Sequence, residues 1–127
     1  MPQLLRLVVD TNVFISGSLW GGPPGQVLDM IEDSGSTLWF NRATFRELVA
    51  VLAYPKFIRE YQRCHTTAAT ILRQFSSRFH FTDTPPAPLL ISNEPIDNEL
   101  LVVALAAKVD VLISGDRHLL DLQDVVA

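Results

Sequence analysis

The chain has 127 residues, a formal net charge of -4, 48% hydrophobic and 19% charged residues. Length fits a single domain over residues 1–127 with a core that needs no staples, and the composition excludes a disordered or low-complexity chain. The longest apolar run, Leu100 to Ala107, falls far short of the roughly 18 residues of a membrane span, no secretory leader opens the sequence, and a lone Cys64 excludes an internal disulfide and fits a reducing cytoplasm.

In chain order, Leu4 to Val9 reads as a short buried strand. Turn residues Asp10, Thr11 and Asn12 should stop it. Ser18 to Gly25 reads as a loop. Its Gly21-Gly22-Pro23-Pro24-Gly25 run is a stiff turn with Pro24 near a helix start, and not a phosphate cradle, because two of its residues lack N–H donors. A helix is expected from about Gly25 to Asp33, with Val27, Leu28 and Ile31 on one face, ended by Ser34-Gly35. Thr37 to Phe40 is a second strand. Asn41 caps the next helix, whose apolar face is Phe45, Leu48, Val49 and Leu52, and Pro55 interrupts it. Thr66 to Ser77 reads as a helix, Phe79 to Phe81 as a short strand, and the proline-rich Thr82 to Asn93 as a loop. Asp97 to Lys108 is a strong helix. Its Leu100 to Ala107 stretch is apolar all round, which fits either a partner chain on one side or burial between sheet and helices. Val111 to Ile113 is a third clear strand, a short helix follows around Arg117 to Leu120, and Val125 to Ala127 begins another strand. Strands alternating with helices imply an α/β layered domain with a mainly parallel sheet.

Charge is unevenly spread. Arg42 to His80 carries +5, and the remainder of the chain carries -9. The basic stretch fits either solvated helix faces or a surface that meets a polyanion, with Arg42, Arg46, Arg73 and Arg78 as candidate phosphate contacts.

In parallel α/β sheets the functional crevice lies at the carboxyl ends of the strands. Asp10 ends the first strand, and Asp116 lies just past the strand ending at Ile113. Asp97 opens the helix before that strand, about 40° from Leu101 on its buried face. Glu47 lies on the helix after the second strand, about 40° from Val51, on the border of the apolar face. Acids gathered at one edge repel unless a cation neutralises them, and Mg²⁺ and Mn²⁺ favour such oxygen donors. Ions there can polarise a phosphodiester and activate water. The plainer alternatives are a turn residue at Asp10 or Asp116, a helix cap at Asp97 and a solvated acid at Glu47.

Other residues read as structural. Cys64-His65 has no second pair at zinc spacing. His118 reads as a partly exposed helix residue. Trp20 and Trp39 read as packing residues, Trp20 being the better candidate for base stacking.

As a set these segments resemble PIN-domain ribonucleases. Val8-Val9-Asp10-Thr11-Asn12-Val13 looks like the opening signature of that family. Thr44-Phe45-Arg46-Glu47-Leu48 with Val51-Leu52 resembles the second segment. Glu94 to Asn98 with Leu101 and Ala104, then Asp110 to Leu120, resemble the third and fourth. The branch most resembled comprises VapC-like toxins of toxin–antitoxin pairs. The resemblance implies a Mg²⁺- or Mn²⁺-dependent endoribonuclease with an acidic quartet at Asp10, Glu47, Asp97 and Asp116, supported by hydrogen bonds from Asn12 and Ser114. It implies a three-layer α/β/α fold around about five parallel strands, usually a homodimer, often bound by an antitoxin. Two departures stand out. Ser92-Asn93-Glu94 replaces the usual basic residue and aspartate, and the last strand is expected to be cut short.

Rival readings need other residues. Gly115-Asp116 with Asp121 fits the GDxxxxD pattern of haloacid-dehalogenase-type phosphatases, but Asn12 stands where those enzymes need a second aspartate. A catalytically idle PIN-like binding module is the other alternative. A receiver-type signalling domain needs an acid pair and a strand-end lysine that are not found.

Overall fold

A computed structural model describes residues 4–83, 98–114 and 118–121 of the chain. Among these described residues five strands form one sheet: β1 (Arg6–Val9), β2 (Thr37–Phe40), β3 (Phe79–Phe81), β4 (Val111–Ser114) and β5 (His118–Asp121), in the order β3-β2-β1-β4-β5. The first four are parallel and β5 runs antiparallel to β4. The described residues also form six α-helices: α1 (Thr11–Leu19), α2 (Gly22–Ser34), α3 (Arg42–Leu52), α4 (Ile58–Arg63), α5 (Ala68–Phe75) and α6 (Asn98–Ala106).

Side-chain alternation along β1 divides the core in two. Leu7 and Val9, with Leu38, Phe40 and Ile113, face α1, α2, α3 and α5. Val8 and Leu112 face α6 through Leu100, Leu101, Val103, Ala104 and Ala107. The result is the expected three-layer α/β/α arrangement. It also places α6 against the sheet. Most of that apolar helix is buried on the sheet, and Leu105, 41% exposed, lies on its outer side.

Several local expectations are corrected. The residues after β1 form a helix instead of a turn and loop. The Asp10 side chain caps α1, accepting a hydrogen bond from the Asn12 N–H at 2.8 Å. The next helix starts at Gly22, not Gly25, because Pro23 and Pro24 occupy its first turn, where no N–H is required. It ends as expected at Gly35, whose φ of 79° suits glycine. Helix α4 lies between Pro55 and Thr66, a stretch for which the sequence suggests no element. Val49 is 39% exposed, since it stands about 100° from the middle of the buried arc Thr44–Leu48–Leu52. The short helix expected around Arg117 to Leu120 is instead strand β5 over His118–Asp121, where pairing with β4 overrides local preference. The expected strand at Val125 to Ala127, most of the loop from Thr82 to Asn93, Arg117, Asp97 and Asp116 lie outside the described residues.

Candidate active site at the carboxyl edge of the sheet

The strand order fixes where a site can form. From β1 the chain moves outward through β2 to β3, then returns to place β4 on the other side of β1. The switch point lies between the carboxyl ends of β1 and β4, where open α/β sheets bind ligands. Asp10 stands there, and its N–H donates to the Ile113 carbonyl at 2.9 Å. Its carboxylate is half-buried. Its role as helix cap does not compete with a role as ligand, because a carboxylate has two oxygens and about four acceptor positions. The Asn12 N–H on Oδ1 fixes the direction of the group.

Other described groups converge on the same edge. Asn41 ends β2, is 4% exposed and caps α3. Its Oδ1 accepts from the Thr44 N–H at 2.8 Å, and the Asn41 N–H donates to Thr44 Oγ1 at 3.0 Å. Its Nδ2 donates to Glu99 Oε2 at 3.0 Å, which brings the first turn of α6 to the edge. Ser114 closes β4, half-buried and level with His118 of β5. The side chain of Asn12 is exposed, so the described support for Asp10 comes from its backbone. Glu47 lies in the second turn of α3 and is exposed, on one flank of the helix. Asp97 and Asp116 lie outside the described residues. The described elements that adjoin them in sequence, α6 from Asn98 and β4 up to Ser114, both have their near ends at this edge. Among the described residues no group of three or more metal-ligating side chains is found.

Topology also separates residues that the sequence grouped together. Arg42 and Arg46 directly follow β2 and stand at the carboxyl edge, exposed. Arg73 and Arg78 precede β3 and belong to the amino edge. Arg78 there donates from Nη2 to the Glu32 carbonyl at 3.0 Å in the last turn of α2. Asp110 is also an amino-edge group. Its Oδ2 accepts from the Arg6 N–H at 2.8 Å, so it serves the sheet. Trp20 caps the far end of α1, ten residues and about 15 Å from the acid that starts it. Trp39 is packed, with its Nε1 donating to Thr37 Oγ1 at 2.8 Å and the Arg6 guanidinium 4.3 Å from its ring centre. Asp121 pairs with Val111, at the amino end of β4. That backbone position is about 10 Å from the edge where Asp10 lies.

Sequence reasoning missed Glu99 and Phe81 at this edge. The one signal for Glu99 was its place in the first turn of a helix whose leading residue had been singled out. Phe81 carried no signal beyond its aromatic type.

The strand order and the oriented carboxylate at its switch point define a doubly wound α/β domain with its crevice at the carboxyl edge. A family model described as PIN domain matches residues 6–118, and the chain belongs to the PIN-domain family. PIN domains are generally nucleases. No curated protein and no solved structure matches the chain. Among the described residues no helix is long and apolar enough to cross a membrane.

Proposed function

We propose that this protein is a Mg²⁺- or Mn²⁺-dependent endoribonuclease that cleaves single-stranded RNA, and that it is the toxin of a toxin–antitoxin pair. The observation that carries the reading is Asp10, held by the Asn12 N–H at the β1–β4 switch point of a PIN-domain chain. A donor set of Asp10, Asp97 and Asp116, with Glu47 for a second ion or a water, is all oxygen and suits a hard divalent cation. When bound, such an ion neutralises phosphoryl oxygens and lowers the pKa of water.

The chain's own residues supply position and charge. Asp10 is pre-aimed by its cap bond, so little is lost in ordering it when a cation arrives. Asn12 and Ser114 flank it and orient the carboxylates. Arg42 and Arg46 offer guanidinium groups to phosphates of a strand lying along the edge. Arg73 extends a basic surface at the far edge. Arg78, with its Nη2 on the Glu32 carbonyl, adds its charge to the same surface. A homodimer, an antitoxin partner and a cytoplasmic setting complete the reading.

Incubation of a labelled single-stranded RNA with the protein, with and without Mn²⁺, tests it. Cleavage is expected with metal in the unaltered chain and is expected to fall at least ~100-fold in Asp10→Asn. Cleavage in EDTA, or undiminished cleavage by Asp10→Asn, overturns the mechanism.

A further inference from the structure

The carboxyl edge carries an aromatic side chain with no role in the chemistry above, beside the two arginines that have one. Phe81 ends β3 with 56% of its surface exposed. It pairs with Phe40 in the sheet register, so its ring lies on the face covered by α3. The ring centre is 5.1 Å from that of Phe45 at an interplanar angle of 77°, and 6.1 Å from that of Phe40. Phe45 and Phe40 in turn meet Phe79 nearly edge-on at 5.6 and 5.2 Å. Phe81 is therefore a braced, exposed ring. Phe40 and Phe79 already fill the core beneath it, so its exposure contributes nothing to packing and costs apolar hydration.

Cations flank this ring. On α3, Arg42, Phe45 and Val49 form the flank next to β3, Arg46 lies outward of them, and Glu47 falls on the opposite flank. Both arginines are exposed, and neither has an ion-pair partner among the described residues, where the one ion pair is Arg63–Glu60. Asp83, exposed, is the nearest acid along the chain on the β3 side. Strand β3 lies two strand spacings, about 10 Å, from β1 and its terminal acid.

We propose that Phe81, braced by Phe45, is a stacking platform for an unpaired base of single-stranded RNA, with Arg42 and Arg46 holding the adjoining phosphates. The π-face of a base fits an exposed phenyl ring whatever its sequence, and a duplex cannot offer that face. Guanidinium groups match phosphate oxygens with paired hydrogen bonds. The strand then runs from β3 toward the switch point, and this direction alone rests on the ribonuclease reading.

The test is anisotropy of a short labelled single-stranded oligoribonucleotide in EDTA, so that binding is read without cleavage. Phe81→Ala is expected to weaken binding about 5- to 100-fold, and Phe81→Trp to retain it. An abasic nucleotide at the stacked position weakens binding to the unaltered chain but adds nothing to the loss in Phe81→Ala. Binding by Phe81→Ala within twofold of the unaltered chain overturns the platform. So does an equal abasic penalty in both proteins. Failure of the unaltered chain to bind RNA, with a polyglutamate peptide bound instead, overturns it in favour of an acidic protein partner. If Phe81→Ala loses its melting transition, Phe81→Leu, which keeps apolar bulk but has no π-face, carries the same decision with the abasic comparison. A chain that cleaves with Mn²⁺ but ignores Phe81→Ala keeps the ribonuclease reading and loses the platform. A chain that binds through Phe81 and never cleaves does the reverse.

Discussion

Asn41 Nδ2 donates to Glu99 Oε2 at 3.0 Å, across 58 positions of sequence. One buried amide thus starts α3 through its oxygen and holds the first turn of α6 through its nitrogen. Both ends of the group are used, as burial of an amide requires. The helix it holds is the one that follows directly on Asp97, so the bond links the end of β2 to the region of the proposed acids.

Asn41→Asp separates the two roles. The oxygen that caps α3 remains, but the donor toward Glu99 becomes a second carboxylate oxygen. Like charges then face each other in a half-buried place, and a loss of about 1–3 kcal/mol is expected in urea unfolding. Adding Glu99→Gln restores most of the stability at neutral pH. A loss that ignores Glu99→Gln contradicts the assignment.

Gly17 supports a tight crossing of α1 and α2. A Cβ there would lie 2.7 Å from the Pro24 carbonyl oxygen and 2.8 Å from Leu28 Cδ1. Leu28 can shift, but the backbone carbonyl cannot do so cheaply. Helix preference alone favours Gly17→Ala by up to about 1 kcal/mol. Overpacking is expected to outweigh it, for a net loss of about 1–2 kcal/mol and a lowered Tm. A raised Tm would show that the two helices can separate without cost.

The parts legible in the sequence were those whose cause is local. Strands β1, β2 and β4 are apolar runs bounded by polar residues, Asn41 announces its helix, and Asp10 marks a strand end. Helix α1 was hidden because Val13, Phe14 and Ile15 are consecutive, not periodic, and Ser16, Gly17 and Ser18 are weak helix formers. Packing against α2 and the sheet makes it a helix. Strand β5 was hidden for a similar reason, since four residues become a strand only by pairing with β4. At the site, Asp10 was legible because the β–α rule is local once a strand is found. Glu99 was not, because its partner is distant in sequence. The four arginines looked alike in composition, and only the direction of the strands sends two of them to each edge.

Tyr61 gives an alkaline marker of the α3–α4 junction. Its hydroxyl donates to the Leu52 carbonyl at 2.6 Å, and burial raises its pKa above the usual phenol value of 10.0. Above pH 10 the unfolded chain loses this proton while the folded chain keeps it. Unfolding then releases a proton, so stability falls as pH rises. Tyr61→Phe is expected to lower stability by about 1 kcal/mol at pH 7, the value of one hydrogen bond. It should also flatten the decline above pH 10 in urea titrations. An unchanged slope in the variant would place the alkaline loss elsewhere.

Strand direction makes the last prediction, which concerns charge. If net positive potential alone attracted RNA, then Arg42→Gln, Arg46→Gln and Arg73→Gln would weaken binding alike, since all three residues are exposed. Placement says otherwise. Arg42 and Arg46 share the carboxyl edge with Asp10, whereas Arg73 lies in the last turn of α5, which leads into the amino end of β3. A strand bound along the carboxyl edge releases counterions from phosphates near the first two arginines only. Each of Arg42→Gln and Arg46→Gln is expected to reduce the slope of log K against log salt by about 0.7 for single-stranded RNA. Arg73→Gln should leave the slope unchanged and alter affinity only slightly, through an interaction screened beyond roughly 10 Å at 0.1 M salt. Equal slope changes in all three variants would mean that RNA spans both edges, and the path along the carboxyl edge would fail.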